Sequence, residues 1–252
     1  MNEPTNAPTA LTIVGPGRVG NSIARAAEGA GIEVLLTGRD FTPDQLSGRT
    51  VLLCVPDGAI STAAGRIAEI CGPDALPALT GHTSGATTLA PLVAAQTDGA
   101  FSLHPLQTVP DGETDLRDCP SAVAGDTGPA LAAATGLARE LGMKPFEIDE
   151  ADRAIYHAAA SIAANYLVTL EQTAAGLLAE IGVADPREVL TPLVRRSLAN
   201  WERLGPEAIT GPISRGDTET VERHRAALTE RSPETVALYD AMAERTRAMV
   251  TA

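Results

Sequence analysis

Gly15, Gly17 and Gly20 stand in GxGxxG spacing within IVGPGRVG, directly after the apolar run Leu11–Val14 and at the head of a helical pattern from about Arg18. Gly15 permits a sharp strand-to-helix turn. Gly17 lets the backbone approach a pyrophosphate, and Gly20 lets the helix pack closely, with the helix N-terminus turned toward the phosphates. Alone the fingerprint says little; here it opens the first unit of an alternating chain, the context that gives it meaning. It predicts a dinucleotide site built from Gly15, Pro16, Gly17, Arg18, Val19 and Gly20.

The alternation continues through Ile32–Thr37, Thr50–Val55, a helix reaching Ile70, Ala75–Thr80, a helix near Thr87, and Ala100–Leu103. Strands alternating with helices predict an α/β fold with a doubly wound parallel sheet. Ser121–Gly125 and Lys144–Ile148 flank the helical segment Gly128–Leu141 and should extend the same sheet, completing a first domain over residues 1–149. Then the period changes. Ala151–Ile181, Pro186–Leu204, Thr218–Thr229 and Pro233–Met249 all read as helices, so residues 150–252 form a second, all-helical domain.

The chain carries 19 Lys and Arg against 32 Asp and Glu, a net charge of −13 over 252 residues. That balance offers no basic footprint for nucleic acid or an anionic membrane, which leaves small molecules as the expected partners. Cys54, Cys71 and Cys119 are widely spaced without a CxxC pair, so neither a disulfide framework nor a metal site is expected, and a reducing cytoplasm fits. The opening MNEPTNAPTA lacks the charged and apolar regions of a signal peptide and reads as a tail, and no apolar run approaches membrane-spanning length. Lys144 is the only lysine and sits in an expected strand, which excludes most lysine-centred chemistry unless that residue carries it. His82, His104, His157 and His224 are the only histidines.

The end of the second strand selects the cofactor. An NAD-selective site places an acidic residue there, whereas this chain reads LLTGRD, and Arg39 can pair with the 2′-phosphate of NADP. Asp40, one residue on, could instead take the ribose hydroxyls. Three further motifs follow expected strands: CVPDGAI with Val55, Pro56 and Asp57, TGHTSG with His82 and Ser84, and SLHPLQT with His104. Taken singly they are a helix start, a glycine turn and an extended residue before proline. Together they should line one crevice, because ligands of open parallel sheets bind outside the carboxyl ends of the strands.

In the helical half, RAIYHAAASIAANYL repeats Arg153, His157, Ser161 and Asn165 every fourth residue. At 100° per residue the row drifts by about 40° per step, so its side chains share a face. By itself such a row is a solvated stripe. Further on, ITGPISRGDTETVERH reads as a loop followed by a helix that Asp217 can cap, with Arg215 a candidate carboxylate clamp. The RGD tripeptide does not indicate adhesion in an acidic chain of this kind.

Taken together, GPGRVG, CVPD, HTSG, SLHPLQT, YHAAASIAANYL and TGPISRGDTETVERH resemble Rossmann-like oxidoreductases with a DUF2520 C-terminal domain. These are similar to the 6-phosphogluconate dehydrogenase-like enzymes, among them pyrroline-5-carboxylate reductase and ketopantoate reductase. The resemblance covers nearly the whole chain from Leu11 and implies an NADP(H)-binding domain followed by a helical domain that forms a homodimer contact and closes over the cofactor. It implies an NADPH-dependent reductase of a small 2-oxo acid, with ketopantoate the leading substrate. In such a site His157 would donate the proton, with His104 as its rival; Asn165 would hydrogen-bond the carbonyl oxygen and Ser161 would relay or orient. Ser84, His104 and Arg215 would contact substrate. Related hydroxy-acid dehydrogenases carry a KxxxN pattern on this helix; here the position four before Asn165 is Ser161, so lysine chemistry is replaced or lost. Two alternatives follow: an imine reductase of the pyrroline-carboxylate type, and a non-catalytic NADP-binding sensor or structural dimer.

Overall fold

Seven strands, β1 (Ala10–Val14), β2 (Glu33–Thr37), β3 (Thr50–Leu53), β4 (Leu79–His82), β5 (Gly99–Pro105), β6 (Pro120–Gly125) and β7 (Lys144–Glu147), make one sheet in the order β2-β1-β3-β4-β5-β6-β7. The computed structural model describes residues 7–72 and 75–250, so residues 1–6 of the expected tail lie outside the described residues, while Ala10 already opens β1. The chain divides into two compact units, one ending at Ile162 and the other beginning at Ala163.

The central strands are apolar on both faces because both faces are covered, whereas the edge strands β2 and β7 keep exposed positions. Leu11, Ile13, Leu52, Phe101, Leu103 and Val123 join one cluster with Ile23, Ala27 and Leu137 from helices α1 (Arg18–Gly29) and α3 (Gly128–Glu140). Their neighbours Val14, Val51, Leu53, Ala100 and Ala124 join a second with Ile60, Ala64 and Ile67 of α2 (Ile60–Cys71). The period of two along each strand thus sorts side chains into two cores, as in a doubly wound sheet.

The first five strands are parallel, and β6 departs from that pattern by running antiparallel to β5. The connection explains the departure: residues 106–119 contain no helix to serve as a crossover, so the chain can only return alongside β5 in the opposite direction. With α3 between them, β6 and β7 are parallel again. The helix expected near Thr87 is a 3₁₀ turn at Ala90–Ala95, with Pro91 at its start and Gln96 in the left-handed region, φ 56°, at its end.

After β7 come α4 (Arg153–Ser161), a π-helical turn at Ile162–Tyr166, α5 (Leu167–Glu180), α6 (Pro186–Leu204), α7 (Thr218–Arg231) and α8 (Val236–Val250). The change of period expected at Asp149 therefore precedes the division between the units, because α4 belongs to the first. Asp217 caps α7, its Oδ1 accepting from the Thr220 amide at 3.0 Å. Val221 and Ala243 are the buried apolar residues among the described part of the second unit, while Val168, Val189, Leu193 and Trp201 are each more than half exposed.

Candidate nucleotide and histidine site

Parallel pairing of β1 to β5 brings their carboxyl ends to one edge, with the order reversing between β1 and β3, the usual place for a ligand crevice. Gly15 has φ +114°, and a Cβ there would lie 2.3 Å from the Cys54 carbonyl oxygen. A Cβ on Gly20 would lie 2.0 Å from the Gly15 carbonyl oxygen, so this turn closes only with glycine at both places. At Gly17 a Cβ would meet nothing within 4 Å. No side chain caps α1, whose N-cap is Gly17. An open backbone and uncapped first-turn amides are what a pyrophosphate requires, so the loop Gly15–Gly20 fits a dinucleotide.

Beside it, Arg39 is exposed and makes no ion pair among the described residues. Asp40 is almost fully exposed, its carboxylate 3.8 Å from Arg66, whose guanidinium stacks over Phe41 at 5.6 Å. Val55, Pro56 and Asp57 follow β3, with Asp57 opening a 3₁₀ turn into α2.

His82 ends β4 fully buried. Its Nδ1 accepts from the Ser84 amide at 3.2 Å and its Nε2 lies 3.1 Å from the Thr88 carbonyl oxygen, so the ring is neutral and holds the HTSG turn together. Burial lowers its pKa, consistent with that state. Ser84 Oγ accepts from the Thr87 amide at 2.9 Å, which leaves its hydroxyl hydrogen free to donate.

Gly85, next in that turn, is where the imidazoles meet. A Cβ on it would lie 2.9 Å from His104 Nε2 and 2.9 Å from His157 Cδ2. The two rings are 6.0 Å apart, edge to face, and Tyr156 completes the group with its hydroxyl 2.7 Å from His104 Nδ1. His104 comes from β5, and Tyr156 and His157 from α4. Burial first, then the His157 and Arg153 charges, push the His104 pKa from 6.5 down to about 4.

A lowered base pKa in the folded state means that the unfolded chain takes up its proton first. His104 therefore costs no stability above pH 6.5 and costs progressively more as pH falls to 4, in all about 3 kcal/mol. Urea unfolding at pH 7 and pH 5 should show the loss, and His104→Gln should flatten it. An unchanged slope would contradict the burial of this ring.

Arg153 is 1% exposed. Its Nε lies 2.5 Å from Glu150 Oε1, its Nη2 donates to Ser102 Oγ, and its Nη1 reaches the Ser84 carbonyl oxygen at 3.5 Å. Glu150 Oε2 in turn accepts from the Leu89 amide at 2.6 Å. The first member of the polar row is thus a strut that fixes α4 to the β4 turn and β5. Ser161 ends α4 half-buried, and from Ile162 the π-helical turn breaks the period on which the shared face of Asn165 depended. Asn165 and Arg215 belong to the second unit, both exposed. Sequence reading missed Tyr156 and Gly85; Arg153, Tyr156 and His157 are spaced i, i+3, i+4, a helical face in its own right.

The chain matches the sequence profile described as a domain of unknown function, DUF2520, over residues 119–246, and it belongs to that family. No curated protein matches it. Among solved structures it is similar to a candidate NADP oxidoreductase from Bacteroides fragilis, 18% identical over 97% of this chain and 99% of that one, with a TM-score of 0.80. A protein from Thermotoga maritima is 23% identical, covering 96% and 98%, with a TM-score of 0.74. A reductive aminase from Aspergillus terreus, in complex with NADPH and ethyl-5-oxohexanoate, is 17% identical, covering 94% and 92%, with a TM-score of 0.68. These likenesses establish a Rossmann-like dehydrogenase fold. Among the described residues no helix is long and apolar enough to cross a membrane, and no group of three His, Cys, Asp or Glu could hold a metal ion.

Proposed function

We propose that this chain is an NADPH-dependent reductase of a small 2-oxo acid, with ketopantoate as substrate and pantoate as product. One observation carries the reading: two imidazoles converge on Gly85 at the same sheet edge as an open, uncapped glycine loop. Bound there, the nicotinamide cofactor would supply a hydride. The protein's part is to orient the carbonyl and deliver a proton to its oxygen. His157 gives that proton, Ser84 offers its free hydroxyl hydrogen, and Asn165 and Ser161 hydrogen-bond or orient. Arg153 is committed to Glu150 and Ser102 and is not a carboxylate clamp; the exposed Arg215 guanidinium has the chemistry for that role.

We assign the 2′-phosphate to Arg39, an exposed guanidinium just past the end of β2 that makes no ion pair among the described residues. Arg39→Ala should weaken NADPH at least about tenfold, the worth of one charge-assisted hydrogen bond, and leave NADH unchanged. Calorimetric titration checks this; an equal loss for both nucleotides contradicts the assignment. In this reading residues 1–149 hold the nucleotide, and residues 150–252 serve substrate and a homodimer contact in the cytoplasm. The exposure of Val168, Val189, Leu193 and Trp201 on α5 and α6 supports the dimer, because large apolar side chains gathered on a surface mark interaction sites.

An imine substrate is the second reading, favoured by the fold likeness to a reductive aminase. A non-catalytic sensor is the third, favoured by Ser161 standing where related enzymes carry lysine. Parallel assays of NADPH oxidation with ketopantoate and with pyrroline-5-carboxylate separate the three. Faster turnover of ketopantoate supports the proposal; preference for the imine, or binding without turnover, overturns it.

A further inference from the structure

We infer that Tyr156 is a positioning residue: its hydroxyl donates to His104 Nδ1 and fixes His104 as a neutral Nε2–H donor that polarises the substrate oxygen, leaving proton delivery to His157. The inference rests on the reductase reading for its chemistry, although the tautomer itself does not.

Tyr156 Oη and His104 Nδ1 are 2.7 Å apart, so one of them donates. If Nδ1 donated, the phenol hydrogen would have no acceptor among the described residues and Nε2 would be a bare lone pair. The reverse arrangement satisfies both groups, since an imidazole nitrogen is the better acceptor and a phenol the better donor. Burial favours the same protonation states, pushing the Tyr156 phenol up to about 12 and the imidazole down to about 4. The charged and titratable groups around His104 are Arg153, Tyr156 and His157 from α4, Asp57 after β3 and His82 from β4.

The geometry then divides the labour. The Nε2 edge of His104 and the Cδ2 edge of His157 border the same space above Gly85, where any side chain would strike both. A neutral imidazole is too weak an acid to give up its remaining proton, yet it is a fixed dipole aimed where negative charge develops on a carbonyl oxygen. As hydride reaches the carbonyl carbon, the carbon–oxygen π pair moves to oxygen. Oxygen first leans on His104 Nε2–H and then takes the proton of His157, which solvent restores.

Four histidines make the test direct. In chain labelled with nitrogen-15 histidine at pH 7, His104 should show a bare Nδ1 and a protonated Nε2, and Tyr156→Phe should mix the two tautomers while the His82 and His224 signals stay in place. Turnover in Tyr156→Phe should fall about tenfold, the worth of one hydrogen bond, with KM within twofold. His104→Gln, a neutral donor, should keep roughly tenfold more turnover than His104→Ala. A protonated Nδ1 in the wild-type chain, or equal losses in the Gln and Ala variants, overturns the inference. Absence of turnover with every substrate overturns the reductase reading instead, and the wild-type tautomer still decides the role of Tyr156.

Discussion

His157→Ala is expected to lower turnover by roughly 10²–10⁴ while NADPH binds with unchanged affinity, the loss typical of removing a positioned general acid. The split follows from where the residue sits. His157 comes from α4 and meets Gly85, whereas the proposed pyrophosphate cradle is the Gly15–Gly20 segment at the junction of β1 and α1. Its rival, His104, has its Nδ1 occupied by Tyr156 and a pKa near 4, which leaves it a poor store of a mobile proton. Steady-state kinetics with a parallel nucleotide titration decide the matter. Near-normal turnover in His157→Ala would return proton donation to His104.

Arg153→Ala is expected to destabilise the first unit by roughly 3 kcal/mol, at the lower end of what removing one partner of a buried ion pair costs, because Glu150 is itself 40% exposed. The change strands Ser102 Oγ and the Ser84 carbonyl oxygen and frees the Glu150 carboxylate that also holds the Leu89 amide. Denaturant unfolding followed by amide exchange in β4 and β5 should report the loss. A change below 1 kcal/mol would mean that the strut carries little load.

Much of the local structure in both units was legible because its physics is local and periodic. Runs of two-sided apolar strand, the glycine turn at Gly15–Gly20 and the Asp217 cap each follow from a few neighbouring residues. The antiparallel return of β6 was not, since it depends on what residues 106–119 fail to form rather than on the strand itself. The polar row shows the limit most clearly. A four-residue period grouped Arg153 with His157, but tertiary burial made Arg153 a strut, and a π-helical turn interrupted the row before Asn165. Tyr156 escaped because its partner, His104, lies 52 positions away in the chain, a pairing that no local pattern encodes.

The central claim is that the glycine loop and the two imidazoles over Gly85 are parts of one NADPH site. Titrating NADPH into the nitrogen-15 histidine-labelled chain tests it most directly. The account predicts saturable shifts of the His104 and His157 ring signals, with His224 unmoved. NADPH binding that leaves both rings unperturbed, or no binding, would contradict it.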